Sequence, residues 1–452
     1  MVEGPLLLLI LLASIILIVL MTAKFKIHPF ISLLVTCYFL ALSVRMPLAD
    51  VGKTITEGFG GTLTSIGIVI ILGAIIGTFL EKSGAALKMA DLVVRVVGKR
   101  YPTLAMGIMG YIVSIPVFCD SGFVILNSLK KALRSRTAAS GVAMTIALST
   151  GLYATHTLTP PTPGPIAAAS NLGIEHNLIT VILIGLIVAA AASAAGLAYA
   201  IYIGKRIKSD EDTEETTESY EELLQKYGKL PSGLAAFSPI VVPIILMALG
   251  SIANLPAKPF GDGGIQTFLA FLGVPVNALF VGFLCSLALL PSFTEKTLTG
   301  WIEAALKNSA SIIMITGAGG AFGLLLRTSP IGDYLGQTLS TWNLGIFLPF
   351  IIAAALKTAQ GSSTVSIITT TSLLAPMLPS LGLDSEMAKV LVIMATGAGA
   401  MTVSHANDSY FWVVTQFSGI KMKDGFKTQT MATLIQGVTA ILVTFGLSLF
   451  LI

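Results

Sequence analysis

The sequence predicts an all-α polytopic membrane protein: an inverted repeat of two halves, with two re-entrant hairpins and two broken transmembrane helices. Three observations predict it. Hydrophobic residues make up 54% of the 452 positions and charged ones only 11%, against about 25% charged in soluble domains. Charge-free runs of roughly the 17–25 residues that span a bilayer recur along the whole length. Four polar, Gly/Pro-broken stretches interrupt these runs, in matching order in the two halves. They are Pro116–Gly122 and Thr155–Pro165, then Lys357–Thr364 and Ser404–Ser409.

Taken in order, apolar runs place spans near 5–22, 27–44, 62–80, 138–158, 178–203, 236–253, 266–290, 309–326, 388–416 and 430–451. The stretches 103–133 and 343–379 are too interrupted for single helices and read as hairpins, the first with Cys119–Gly122 at its tip. The first run lacks a basic flank and a small-residue cleavage site, so it reads as a retained span. Residues 204–234 start basic and turn acidic, the composition of a solvated cytoplasmic linker between halves 1–203 and 235–452. Lys and Arg cluster at 24–26, 82–100, 130–136, 205–208 and 421–427, which orients the chain with both termini outside. One register shift pairs Gly73 with Gly319, Gly77 with Gly323, and Thr150-Gly151 with Thr396-Gly397. With that topology the repeat is inverted.

Composition also excludes. A net charge of +4 spread over loops gives no support for a nucleic-acid partner. Cys37, Cys119 and Cys285 are isolated, so neither a disulfide framework nor a metal site is expected. No His-Glu-x-x-His, Gly-x-Ser-x-Gly or Walker-type loop occurs, so enzymatic catalysis and direct ATP drive lack a feature, and no cofactor is expected.

Non-helical backbone at membrane depth survives only where protein buries it or it lines a wet cavity. Paired interruptions in two halves mark the central site of a secondary transporter. Asp120 and Ser121, and Gly361-Ser362-Ser363-Thr364, each precede apolar runs and would aim helix N-termini at the centre, where carboxylates bind. The substrate-binding candidates are Ser121, Gly122, Thr159, Thr162, Gly361, Ser362, Ser363, Thr364 and Asn407. Asp120, His156, His405 and Asp408 are ionisable at membrane depth and are the proton-coupling candidates, Asp120 first among them. The plainer reading makes the hydroxyls packing groups, the histidines neutral braces and the aspartates helix caps. Lys357 either balances a carboxylate, attracts the anion or snorkels.

Several of these stretches resemble the gluconate permease (gluconate:proton symporter) family, and the likeness covers essentially the whole chain. It rests on Phe25-Lys26-x-His28-x-Phe30, Gly60–Leu63, Ser121–Val124 and Gly361-Ser362-x-Thr364-Val365. Its most specific parts are His156 with Pro160-Pro161-x-Pro163-Gly164-Pro165, and Ser404-His405-x-Asn407-Asp408-x-x-Phe411-Trp412. The resemblance implies uptake of a sugar acid with protons across a bacterial inner membrane, in a two-hairpin ion-transporter fold. The chain departs from the family's Glu-Val-Gly-Phe at Asp120–Phe123, and from its Pro-Pro-His-Pro at Pro160–Pro163. The substrate therefore stays open among gluconate-like aldonates, shorter sugar acids and hydroxylated amino acids such as D-serine. Sodium coupling is the nearest rival mechanism, a passive channel a remote one. Expected partners are the small carboxylate, protons, membrane lipid and, as an open question, a second copy of the chain.

Overall fold

The computed structural model describes the chain except residues 1, 3, 98–100, 135–136, 138, 213–229, 255–258, 332–333, 335–343 and 406–407. The side chains of 19, 23, 65, 66, 90, 94, 121, 125, 128, 132, 251, 296, 308 and 360 are also outside the description. The described residues are helical with connecting turns. The first half comprises α1 (Leu6–Val19), α2 (Pro29–Ser43), α3 (Leu48–Lys82), α4 (Ala85–Val97), α5 (Pro102–Val113) and α6 (Cys119–Arg134), then α7 (Gly141–Leu158), α8 (Pro163–Asn171) and α9 (Leu178–Ile203). The second half comprises α10 (Gly233–Ala253), α11 (Gly264–Gly273), α12 (Pro275–Leu287), α13 (Glu295–Thr328) and α14 (Phe347–Gln360), then α15 (Ser363–Leu374), α16 (Glu386–Met401), α17 (Ser409–Phe417) and α18 (Met431–Leu451).

Both expected hairpins are present as helix pairs, α5/α6 and α14/α15, and both expected broken helices as α7/α8 and α16/α17. Helices at 175–203, 233–250, 297–328 and 422–451 are each long and apolar enough to cross a membrane. Element boundaries depart from the apolar runs for physical reasons. The run 266–290 is two helices bent by 77°, because Pro275 starts α12 and holds Val274 extended. α13 begins at Glu295, well before its apolar part, where Thr294 and Thr297 close a capping box. α3 likewise starts at Leu48, and it bends by 47° between 64 and 67.

α3 and α13 form the central strut. They run antiparallel, since Gly58 meets Gly320 and Ala321 while Phe79 packs edge-on to Trp301 at 5.4 Å. Small residues permit this approach: a Cβ on Gly58 would lie 2.7 Å from the Ala321 Cα. Each hairpin's first limb leans on the helix before the break in the same way. Gly151 of α7 faces the Gly107 carbonyl of α5, and Gly399 of α16 faces the Phe350 carbonyl of α14; a Cβ on either would lie 2.3 Å from that oxygen, so only glycine fits.

Lys205, Arg206, Lys208 and Asp210 at the start of the 204–234 segment are exposed, but Ser209 and Glu211 among them are buried. Glu211 is only 5% exposed and pairs with the buried Lys130 of α6 at 2.8 Å. Lys130 also donates to Thr145 of α7 (2.7 Å) and to Ser418 (2.9 Å). Asp212 accepts from the first amide of α7 at Gly141 (2.8 Å), and the Asp210 amide donates to the Gly419 carbonyl (3.0 Å). These residues thereby tie the base of the first hairpin to both halves. Composition alone, read as charged and hydrophilic, does not distinguish a tether from such a plug.

Glu211→Ala leaves the Lys130 ammonium buried without its carboxylate. We expect a loss of about 3–5 kcal/mol, seen as a lowered thermal midpoint of the purified protein in detergent, with Lys130→Met/Glu211→Leu recovering most of it.

Candidate functional site

The four breaks meet at one buried polar cluster. On the second hairpin, Gly361 ends α14 in the left-handed region (φ 86°) and Ser362 caps α15, its hydroxyl accepting from the Val365 amide at 3.3 Å. Lys357, one turn earlier and fully buried, reaches back to donate to the Gly361 carbonyl. Its second partner is Asp408 at 2.6 Å. Asp408 is the N-cap of α17: one oxygen accepts from the Tyr410 amide (3.1 Å), the other from Lys357 and from the Ser404 hydroxyl (2.5 Å). A cap and a charge partner are therefore the same residue. The Ser404 carbonyl and amide are taken by the hydroxyls of Thr430 and Thr433, so the backbone is satisfied where the break begins.

The first half supplies the facing wall. Lys357 lies over the Tyr153 ring at 5.7 Å, and Tyr153 stacks on Tyr410 at 5.0 Å. The Tyr410 hydroxyl donates to the Ser149 carbonyl at 3.0 Å, pinning α17 to α7. Ser363 faces the Tyr153 hydroxyl. His156, one turn beyond Tyr153, is buried beside Phe118, ring to ring 5.9 Å, and its Nδ1 has no partner among the described residues. Asp120 accepts from the Cys119 thiol (3.6 Å) and from Ser409 (3.5 Å), and it lies within electrostatic reach of Asp408 and Lys357. Nothing pairs Asp120 with a cation at salt-bridge distance among the described residues. His405 is half-buried and its Nε2–H donates to the Thr358 carbonyl at 3.0 Å, bracing the two breaks of the second half against each other.

Of the sequence candidates, Asp120, His156, Gly361, Ser362, Ser363, His405 and Asp408 thus surround or adjoin the cluster. Thr364 is half-buried in the first turn of α15. Three stand apart. Gly122 faces Leu152 of α7, and Thr159 faces Gly185 of α9. Thr162 spends its hydroxyl on the Thr159 carbonyl (2.6 Å), inside the break. The Ser121 side chain and Asn407 lie outside the described residues. Asp120 sits inside the first turn of α6, which starts at Cys119, rather than capping it. Tyr153 and Tyr410 were missed, although each carries a sequence signal. Tyr153 is three residues before His156 and so shares its helix face, and Tyr410 follows Asp408 by two.

The cluster holds two carboxylates, one ammonium and a cap of free amides at the α15 N-terminus. That set can take an anion and a proton together. No group of three His, Cys, Asp or Glu among the described residues could hold a metal ion.

Comparison with known proteins agrees with this architecture. The sequence pattern of the family described as GntP family permease matches residues 6–450. A gluconate permease of Pseudomonas aeruginosa is 32% identical, with 97% of both chains covered. The Escherichia coli K12 inner membrane permease YgbN is 33% identical over 97% of this chain and 98% of its own. The D-serine transporter DsdX of that strain is also 33% identical, over 97% of both. Among solved structures, Neisseria gonorrhoeae MtrF, described within a class of antimetabolite efflux pumps, superposes with a TM-score of 0.68. It covers 94% of this chain and 96% of its own at 14% identity, a likeness of fold.

Lys357→Ala strands Asp408 and should cost about 3–5 kcal/mol. Lys357→Met/Asp408→Asn should cost clearly less than the two single changes summed, and thermal midpoints of the four proteins measure that cycle.

Proposed function

Because the chain belongs to the GntP permease family, and is therefore a membrane transporter rather than an enzyme, we propose that it imports a sugar acid by proton symport across a bacterial inner membrane. The substrate class is a gluconate-like aldonate or a shorter polyhydroxy carboxylate. The observation that carries the reading is the charge count of the buried cluster. Lys357 is consumed by Asp408 at 2.6 Å, which leaves Asp120 as the uncompensated charge.

An anionic substrate entering beside Asp120 would place two negative charges together at low dielectric. A proton on Asp120 removes that repulsion, so substrate and proton each favour the other's binding, by equal factors. The amides at the α15 N-terminus and the hydroxyls of Ser362, Ser363 and Thr364 would receive the carboxylate and its hydroxyls. His156 is a neighbouring candidate for passing the proton on, and His405 a weaker one. Asp408, held by a cap and an ion pair, acts as the fixed countercharge. The antiparallel α3–α13 pairing supports an inverted relation between the halves. Two breaks on either side of such a strut suit alternating access.

A hydroxylated amino acid is the second reading, favoured by the D-serine transporter's equal similarity. Such a zwitterion would bring its own cation to Asp120 and weaken the need for a proton.

Uptake of gluconate, threonate, erythronate and D-serine into proteoliposomes, under separately imposed pH and sodium gradients, decides between these. We expect accumulation of a sugar acid with an inward proton gradient alone; sodium-only drive would overturn proton symport. Asp120→Asn should keep substrate exchange while losing pH-driven accumulation. If it concentrates substrate as well as the native protein does, Asp120 is not the coupling residue. Ser362→Ala and Thr364→Ala should each raise KM about tenfold or more, the worth of a hydrogen bond to a charged group. Unchanged kinetics in both would remove the α15 N-terminus from the site.

A further inference from the structure

A second polar cavity lies away from the central cluster. It encloses about 270 Å³ between α3, α8, α13 and α15 and is lined by Glu57, Thr62, Ser170, Asn171, Arg327 and Ser372, with glycines of the α3–α13 strut as its back wall. That volume approaches the lower end of small-ligand sites, roughly 300 Å³.

Its place in the fold is set by the helices that lead to it. α8 and α15 run side by side away from the cluster, since Gly164 meets Ile367 and Asn171 donates to the Ile368 carbonyl at 3.1 Å. Ser372 is nine residues along α15 from Ser363, about 14 Å at the helical rise. α9 fixes the direction. It starts near the end of α8, passes Leu158 at Gly185 and reaches Ala143 at Gly204, beside the docked 209–212 segment. The cavity therefore lies towards the face opposite that segment. By the distribution of Lys and Arg, that is the outer face.

Its chemistry points to an anion. Arg327 makes no ion pair or hydrogen bond among the described residues. Glu57 is exposed and has its own cation, Lys53, at 3.9 Å. Ser372 is 1% exposed, and its hydroxyl, packed towards Gly319 at the cavity wall, has no partner among the described residues. Asn171 is already oriented, its amide bonded to the Ile368 carbonyl and to Thr371 at 2.9 Å. A guanidinium unpaired among the described residues, beside an oriented amide and the Ser170 and Ser372 hydroxyls, matches a small hydroxylated carboxylate.

We propose that this cavity is an outer capture site for the transported acid: Arg327 takes the carboxylate, and Ser372 and Ser170 bond its hydroxyls before it moves along α15 to the cluster. The inference deepens the carrier reading given above and rests on it. A capture site concentrates ligand without touching the coupling chemistry, so losing it raises KM and leaves kcat unchanged.

The test places a reporter in the cavity. Ser170→Cys is labelled with an anionic and a cationic methanethiosulfonate of similar size, counting reaction above that of the unsubstituted chain. We expect the anionic reagent to react several-fold faster, gluconate to slow it, and Arg327→Gln to abolish both effects while Arg327→Lys keeps the charge preference. In uptake, Arg327→Gln should raise KM about tenfold at unchanged kcat. Faster labelling by the cationic reagent, or no protection at gluconate concentrations that saturate uptake, overturns the capture site. An unchanged KM in Arg327→Gln does the same. Absence of sugar-acid uptake by the native protein would instead sink the carrier reading, and an anionic labelling preference lost in Arg327→Gln would still stand as support for an anion-binding cavity.

Discussion

An ammonium and a carboxylate removed from water hold the two breaks of the second half together. Lys357 comes from the last turn of α14 and Asp408 from the cap of α17, and both are essentially inaccessible. Burying either alone would be prohibitive; together, with the Gly361 carbonyl, the Ser404 hydroxyl and the Tyr410 amide completing their bonds, they are stable. The hairpin tip and the broken helix are thereby one unit. The α15 N-terminus is aimed by that unit, and the Tyr153–Tyr410 stack carries its position across to α7. Whatever binds at the centre meets a surface whose geometry is set by this pair.

The first half also holds a hairpin and a broken helix, with different electrostatics. Its hairpin tip carries Asp120, which has a thiol and a hydroxyl 3.5 Å away as side-chain partners and no cation partner among the described residues. Its firm attachment lies instead at the base, where Lys130 meets Glu211, Thr145 and Ser418. One hairpin is thus held at the tip and the other at the root. The unequal charge at the two hairpins gives a cluster in which Asp120, among the described residues, lacks the cation partner that Asp408 has.

The breaks were legible because proline, glycine and clustered hydroxyls cannot be hidden in an apolar run, and their order in the two halves showed that they meet. Ionisable residues at membrane depth carried the site in the same way: Asp120, His156, His405 and Asp408 all stood out against apolar neighbours. What apolarity cannot show is where a helix begins once it leaves lipid, and so α3 and α13 exceed the runs that marked them. Nor does it show which of several charges will pair. Lys357 had three readings of equal standing until a carboxylate 51 positions later was found beside it. Glu211 read as one acid among many, because burial of a side chain in a partner element leaves no local pattern. Thr162 shows the opposite case, a hydroxyl next to a break and spent on the break itself.

The contact between Lys130 and Glu211 also bears on how the protein is made. Lys130 leaves the ribosome 81 residues before the acid that neutralises it, as the numbering of the bonded pair gives directly. Until then the root of the first hairpin holds an uncompensated ammonium, so the first half cannot complete its packing when its last span, α9, has been threaded into the bilayer. The charge of that root is balanced once Glu211 follows, while its bond to Ser418 waits for the second half. The opening of the intervening segment belongs, in assembly, to the half that precedes it.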